Sequence, residues 1–358
     1  MKILFDCRYI RLDGRHDGIS RYSAELVTAL ARLTPVTMLI SDERQLEMLP
    51  DLPWEKVTPV ADVREPWVAR QVNRLKPDVV YTPMQTMGSF GRKYPFVLTV
   101  HDLIYYSHPT PPREFAPWVR VLWRIYHLVW WPQKMLLNKS DAVATVSETT
   151  RDLISRKHLT RRPVRVIRNS ATMPESTGNP LEVPEKTLVY MGSFIAYKNV
   201  EALVAAMELL PDYELHLMSR ITAKEKKALV KDVKDARLVF HNGATDEEYE
   251  AELLRCTAFV SASLDEGFGI PVVEAMTLGV PVAISDIEIF HEVGGEAAVF
   301  FDQTDPVSIA SAVRTLEDPA VRAVRSEASR AQAATFSWDT SASQLLELLT
   351  EVAATKRQ

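Results

Sequence analysis

Cysteine is almost missing from this chain: two residues in 358, Cys7 and Cys256. Two thiols make no disulfide framework and have no metal-ligand spacing, so a stapled mini-domain is excluded and a reducing cytoplasm is the expected setting. Glycine is scarce too, at 12 residues, which excludes collagen-like and flexible tracts. No stretch approaches the ~18 uncharged apolar residues of a membrane span. The apolar run Ile3-Leu4-Phe5 after Met1-Lys2 stops at Asp6, too short for a signal peptide.

What remains is ordinary in amount and uneven in placement. The chain is 46% hydrophobic and 25% charged, as soluble globular proteins are. Its length suits about two domains, each able to bury roughly two-thirds of its unfolded surface. The net charge of -5 hides an asymmetry: residues 1–172 hold 26 Lys+Arg against 17 Asp+Glu, a net of +9, and residues 173–358 hold 16 against 30, a net of -14. A basic half suits an anionic partner, such as a phosphate-bearing substrate or an acidic membrane, or attraction between the two halves. No nucleic-acid reader motif accompanies it, so no nucleic acid is expected.

Short β-branched runs alternate with helical spacing. Lys2–Asp6, Val36–Ile40, Asp78–Tyr81, Phe96–Val100, Ala142–Val146 and Val164–Ile167 predict strands. A loop over Arg11–Gly18 precedes a helix over Ser20–Leu33, whose Tyr22, Leu26, Ala29, Leu30 and Leu33 share a face. A long helical stretch is expected over Glu114–Asn138 and a shorter one over Ser147–Ser155. Met173–Pro184, with Pro174, Gly178, Pro180 and Pro184, breaks the pattern as a linker. Strands then recur at Leu188–Met191, Glu214–Met218, Arg237–Phe240, Ala258–Ser261 and Val282–Ser285, with helices at Val200–Leu210, Glu247–Cys256 and Pro271–Leu278. The expectation is two α/β domains with parallel sheets: 1–172, and 185–336 after a linker at 173–184. Ligands of such sheets bind outside the carboxyl ends of the strands, so two of them would frame a cleft.

The strongest local signal runs from Ser261 to Pro281. A strand ends near Ser261, Gly267 and Gly269 permit a tight turn, Pro271 suits a helix start and Gly279 a helix stop. The helix N-terminus offers amides and a positive dipole end to an anion such as phosphate. Glu274, placed in the first turn, could accept hydrogen bonds from vicinal hydroxyls or merely complement the helix dipole.

The Glu266-x7-Glu274 segment, with Gly267-Phe268-Gly269-Ile270-Pro271 inside it, resembles the signature of retaining GT-B glycosyltransferases of family 4, most closely the mannosyltransferase-like branch. Gly192-Ser193-Phe-Ile-Ala-Tyr197-Lys198-Asn199 is similar to the family's Gly-x5-Lys-Asn loop, and Phe240-His-Asn-Gly243 with Asp246-Glu247-Glu248 resembles the strand and loop before a helix. Gly18-Ile19-Ser20-Arg21-Tyr22 resembles its first glycine loop, Thr99-Val100-His101-Asp102 its strand-end histidine, Val146-Ser147-Glu148 its serine turn, and Phe336-Ser337-Trp338 the start of its last helix.

The resemblance implies a GT-B fold: two Rossmann-like domains facing across a cleft, with a C-terminal helix, 337–353, returning to the first. The first domain would serve the acceptor and the second the nucleotide sugar. Glu274 would hold the donor ribose, Lys198 the diphosphate together with amides around Gly269–Val272, and Glu266 the transferred sugar through the Gly267-Phe268-Gly269 turn. Ser193, Asn199 and Ile270 would line the donor site, and His101 would touch the donor sugar or polarise the acceptor. Gly18, Ser20, Arg21 and Asp102, with Arg8 beside them, would face the acceptor. Many relatives carry Arg where Ser193 stands, and the mannosyltransferase-like branch often has Arg in place of Tyr197; Arg220 or the helix amides are the expected substitute. Asp-x-Asp occurs nowhere, so no metal and no resident cofactor is expected.

The implied activity is transfer of a hexose, mannose from GDP-mannose foremost, to a glycan or lipid-linked acceptor. A UDP-sugar 2-epimerase of the same architecture and a catalytically silent nucleotide-sugar binder are the alternatives. Trp118, Trp123, Trp130 and Trp131, interleaved with Arg113, Arg120, Arg124, Lys134 and Lys139, could hold 114–138 against the inner face of an anionic membrane. The same stretch would equally suit a helix whose Trp118, Val121, Leu122, Ile125, Leu128 and Val129 enter the core.

Overall fold

Runs such as Ile3-Leu-Phe-Asp6 and Ala258-Phe-Val-Ser261 are buried along their whole length, which only strands covered on both faces require. The computed structural model describes residues 1–12, 18–111, 116–172, 178–231 and 233–355. The chain divides into two units, Met1–Asn169 with Ser337–Gln358, and Ser170–Phe336.

The first unit holds a seven-stranded sheet: β1 Ile3–Asp6, β2 Val36–Ile40, β3 Trp54–Lys56, β4 Val79–Thr82, β5 Phe96–Val100, β6 Ala142–Thr145 and β7 Val164–Val166. Their order is β3-β2-β1-β4-β5-β6-β7, and every pair is parallel. The second holds β8 Thr187–Tyr190, β9 Glu214–Leu217, β10 Arg237–Phe240, β11 Ala258–Ser261, β12 Val282–Ser285 and β13 Val299–Phe301, ordered β10-β9-β8-β11-β12-β13 and again all parallel. Both are doubly wound Rossmann-like sheets, with strand order reversing at β1/β4 and at β8/β11.

In the first unit, helix Gly18–Leu33 buries Tyr22, Leu26, Ala29 and Leu30, whereas Leu33, expected on the same face, is exposed. Tyr22 and Tyr81 share a hydroxyl hydrogen bond of 2.6 Å, and Thr99 Oγ1 donates to Tyr81 at 2.7 Å, so the polar ends of these buried rings are satisfied. Helix Trp338–Thr355 packs against helix Gly18–Leu33. There Trp338 meets Tyr22 edge-on at 5.8 Å, and Ser341 Oγ donates to the Arg168 carbonyl at 2.7 Å.

The stretch 114–138 is not one helix. Its described part forms Pro117–His127 and Trp131–Leu137. Pro132 separates them, because its ring lacks an N–H for the preceding turn. Nor does the first helix enter the core: none of its residues is buried. Trp123 and His127 lean on Tyr105 (ring centroids 5.0 and 5.9 Å) and Trp130 stacks on Tyr106 at 4.1 Å. The opposite face, with Trp118 68% and Leu122 56% exposed, stays in solvent with Val121 and Ile125. No helix among the described residues is long and apolar enough to cross a membrane.

In the second unit, helix Pro319–Ala333 covers helix Ile270–Thr277, and buried Arg322 donates to the carbonyls of Thr257 (2.5 Å) and Cys256 (3.3 Å). The described end of the expected linker lies on this unit: the Leu181 amide donates to the Leu254 carbonyl at 2.9 Å. The expected residues Asp13–Asp17, Arg113, Glu114 and Met173–Thr177 lie outside the described part.

Candidate active site

A doubly wound sheet opens a crevice where its strand order reverses, at the carboxyl ends of the two central strands. In the second unit those strands are β8 and β11. The loop after β8 ends in a 3₁₀ turn, Ala196–Lys198, and Asn199 adopts φ 50, ψ 40. This left-handed conformation is one that Asn tolerates. Asn199 Nδ2 donates to the Gln303 carbonyl at 2.7 Å and fixes the turn. The loop after β11 is tied to it by the Leu264 amide, which donates to the Tyr197 carbonyl at 2.7 Å.

Across that junction Lys198 Nζ donates to Glu266 Oε1, and both side chains are largely enclosed, 17% and 12% exposed. Ser263 Oγ donates to the same oxygen at 2.9 Å. Lys198 also lies over the Tyr197 ring, 5.5 Å from its centroid. The family resemblance implies separate tasks for Lys198 and Glu266; the structure joins them into one pair and adds Ser263 and Tyr197. Ser263 is legible only afterwards, as the serine three residues before Glu266.

Gly269 has φ +97, and a Cβ there would lie 2.9 Å from Phe290 Cε1. Glycine therefore serves both the turn and the close approach. The helix begins at Ile270, so Glu274 lies in the second turn rather than the first. It is buried nonetheless, on the helix that follows the Lys198–Glu266 loop. The helix start offers fewer amides than Gly269–Val272 suggests. Pro271 has none, and the Val272 amide already donates to the Gly269 carbonyl at 2.9 Å. Gly269 and Ile270 remain as candidate donors. Phe268 packs edge-on against Phe336 at 5.4 Å, which anchors the turn that begins at Gly267.

The loops after β8 and β9 also touch: the Gly192 amide donates to Ser219 Oγ at 3.0 Å, and the Ser193 carbonyl accepts from Tyr190 at 2.8 Å. Next to Ser219 stands exposed Arg220, with its stem over Gly243, where φ is +104 and a Cβ would sit 2.6 Å from Arg220 Cγ. Arg220 is thus an exposed cation beside the Ser193 loop.

In the first unit, His101 follows β5. Its Nε2 is 2.7 Å from the Pro83 carbonyl, which can only accept, so Nε2 carries the proton. Burial pushes its imidazole down to about 4 despite that bond. The ring is neutral near pH 7, with Nδ1 left as an acceptor. Asp102 Oδ1 accepts from the Ile104 amide at 3.1 Å. Gly18 opens its helix, but Ser20 is the third helical residue rather than a cap, and its buried Oγ accepts from the Arg11 amide at 3.1 Å. Arg21 is half-buried beside it. Arg8 does not face an acceptor. Sealed in the interior, it bonds Asp6 (2.8 and 2.9 Å), Glu65 (2.7 and 3.1 Å) and the Thr58 carbonyl (2.8 Å).

Two family models match in tandem: Glycosyltransferase Family 4 over residues 16–171 and Glycosyl transferases group 1 over residues 175–332. The chain belongs to the family 4 glycosyltransferases. This glycosyltransferase is 26% identical to the O-antigen chain mannosyltransferase RfbU of Salmonella typhimurium, over 86% of the chain and 89% of that protein. It is 28% identical to the GDP-mannose:cellobiosyl-diphosphopolyprenol alpha-mannosyltransferase of Xanthomonas campestris, over 47% of each. Sucrose-phosphate synthase from Thermosynechococcus elongatus shares its two-domain GT-B fold, with a TM-score of 0.77 at 19% identity over 99% of this chain and all of that one.

Proposed function

We propose that this glycosyltransferase moves mannose from GDP-mannose, with retention and without a divalent metal, onto a lipid-linked glycan at the cytoplasmic face of a membrane. The observation that carries the reading is the Lys198–Glu266 pair at the β8/β11 crevice, next to the Gly269–Ile270 helix start. A lysine and helix amides form an anion site of the kind a diphosphate needs. The acid paired with that lysine is an acceptor for sugar hydroxyls, and buried Glu274 on the following helix is suited to a ribose diol.

During transfer the bond from the sugar's C1 to the diphosphate oxygen breaks. The acceptor oxygen bonds to C1 on the same face, and its proton passes to the departing phosphate. Lys198 and the amides offset the charge gathering on that phosphate, a preorganised contribution that is usually the largest one. Arg220, exposed beside the Ser193 loop, supplies the second cation. The Salmonella and Xanthomonas relatives are mannosyltransferases, and the name of the latter specifies a GDP-mannose donor and a diphosphopolyprenol acceptor.

The exposed face of helix Pro117–His127, with Trp118, Val121, Leu122 and Ile125 and with exposed Arg124 on the same helix, supports docking on an anionic bilayer. The decisive assay incubates the protein with GDP-, UDP- and ADP-sugars and a diphosphopolyprenol-linked glycan. Mannose transfer from GDP-mannose alone, in the α configuration, is expected. Release of a free epimerised sugar, or tight binding without turnover, would replace this reading with an epimerase or a binding module. Sedimentation with phosphatidylglycerol vesicles should fall when Trp118 and Leu122 become Ser.

A further inference from the structure

Two imidazoles and a carboxylate meet on one face of the second sheet, outside everything assigned so far. His216 lies in β9 and pairs in register with Val239 of β10, and His241 follows two residues later on the same face. Helix Asp246–Arg255, fixed at its start by a capping box from Thr245 and Glu248, lays Glu252 over them. His216 Nδ1 is 3.0 Å from Glu252 Oε2 and 3.2 Å from His241 Nε2. One ligand atom from each residue falls within 4.8 Å of the other two.

Protons serve this convergence only by splitting one N–H between two acceptors, Glu252 and the lone pair of His241. A ring nitrogen presents either one proton or one lone pair. If Nδ1 of His216 donates to Glu252, it cannot accept from His241. If it accepts from His241, its lone pair faces a carboxylate oxygen at 3.0 Å. His216 is only 8% exposed, and its other nitrogen, Nε2, has no hydrogen-bond partner although the Glu214 carboxylate lies 3.6 Å away. A cation at the convergence resolves both problems. It takes the lone pairs of Nδ1 and Nε2 and the carboxylate oxygen, and it leaves the proton of His216 on Nε2, aimed at Glu214. That is the carboxylate–histidine–metal arrangement in which an outer acid orients a ligating ring. Metal–ligand bonds of about 2.0–2.1 Å in a tetrahedron set ligand atoms roughly 3.3 Å apart, close to the two spacings that His216 Nδ1 makes, 3.0 and 3.2 Å. Two nitrogens and one oxygen suit a borderline transition ion rather than calcium or magnesium.

We propose that His216, His241 and Glu252 form a binding site for a divalent transition metal of the zinc type, with Glu214 as the outer carboxylate. The three ligands come from two strand ends and a helix, so an ion there would pin helix Asp246–Arg255 to the sheet. Binding displaces the proton from the ligating nitrogens to solvent, and affinity therefore falls as pH drops. The site is separate from the Lys198–Glu266 pair, and its role is structural.

The test uses the full chain, stripped with a chelator, dialysed and titrated with Co2+ and then Zn2+. One equivalent of Co2+ should bring up visible ligand-field bands that Zn2+ abolishes, and Zn2+ should raise the melting temperature. His241→Ala and Glu252→Gln, both at half-exposed positions that keep the sheet intact, should each remove the bands and the thermal shift. Glu214→Gln should weaken Zn2+ about 10–100-fold. His291→Ala, which alters a surface histidine paired with Asp286, should change nothing. The proposal falls if no bands appear, or if bands and thermal shift survive in His241→Ala and Glu252→Gln. The readout is metal uptake, so it stands or fails independently of the donor assay.

Discussion

The two sheets have the same winding, yet the crevice of each is used in opposite ways. At β1/β4 the strand ends are closed by a charge network: Asp6 from β1, Thr82 from β4 (3.1 Å to Asp6), Arg8 and Glu65, whose Oε1 also accepts from the Gly88 amide at 3.1 Å. Every guanidinium nitrogen of Arg8 has an acceptor. Burial raises the Glu65 carboxyl even though Arg8 pulls it down. At β8/β11 the loops carry a single Lys–Glu pair with one serine, partly open to solvent. A saturated network can only hold a fold together. An ion pair with spare donors and acceptors can trade its internal contacts for those of a ligand.

The sharpest way to break this contrast is Arg8→Met. It strands two buried carboxylates, and loss of one member of such a network costs about 3–5 kcal/mol. Denaturant titration should show a loss of that size, whereas Lys198→Met should cost less stability than Arg8→Met. Lys198→Met should instead lower kcat about 10²–10³-fold, the scale for removing one preorganised electrostatic contact. A reversal of these two outcomes, in stability and in turnover, would erase the distinction.

His101 gives the next effect. Its folded pKa of about 4 lies below the ~6.5 of an unfolded histidine. Above pH 6.5 both states are neutral. As pH falls from about 6.5 to 4 the unfolded state takes up the proton first, and stability drops by up to roughly 3 kcal/mol. His101→Asn should flatten that part of the pH–stability curve. The smallest effect is expected from EDTA: well below the melting temperature, sugar transfer should continue at an unchanged rate. Loss restored only by Mg2+ or Mn2+ would place a metal in the reaction and remove the distinction between the two crevices in another way.

The alternation of strands and helices was plain in the sequence because fully buried parallel strands read as unbroken apolar runs. The Glu-x7-Glu block was plain because turns and helix starts need particular residues, and the Gly-x5-Lys-Asn block through the family resemblance. Other parts left weaker traces. Strand β13 is three residues, Val299–Phe301, and β3 is an exposed edge, Trp54–Lys56. Helix Pro319–Ala333 buries only Arg322, Ser329 and Ala333, so it shows no apolar stripe. Arg8 resembled a site residue because only the third dimension brings Glu65 to it from 57 positions away. For the same reason His216, His241 and Glu252, separated by 25 and 11 residues, carry no recognisable metal-ligand spacing.

The chain order adds a demand on biosynthesis. Helix Trp338–Thr355 completes the first unit, yet the ribosome makes it only after the whole second unit. Until then the partner surface of helix Gly18–Leu33 must wait uncovered, while the later unit already has every strand it needs. Nascent chains should therefore resist protease in the later-made unit before the earlier-made one, an inversion of the usual order in which domains mature.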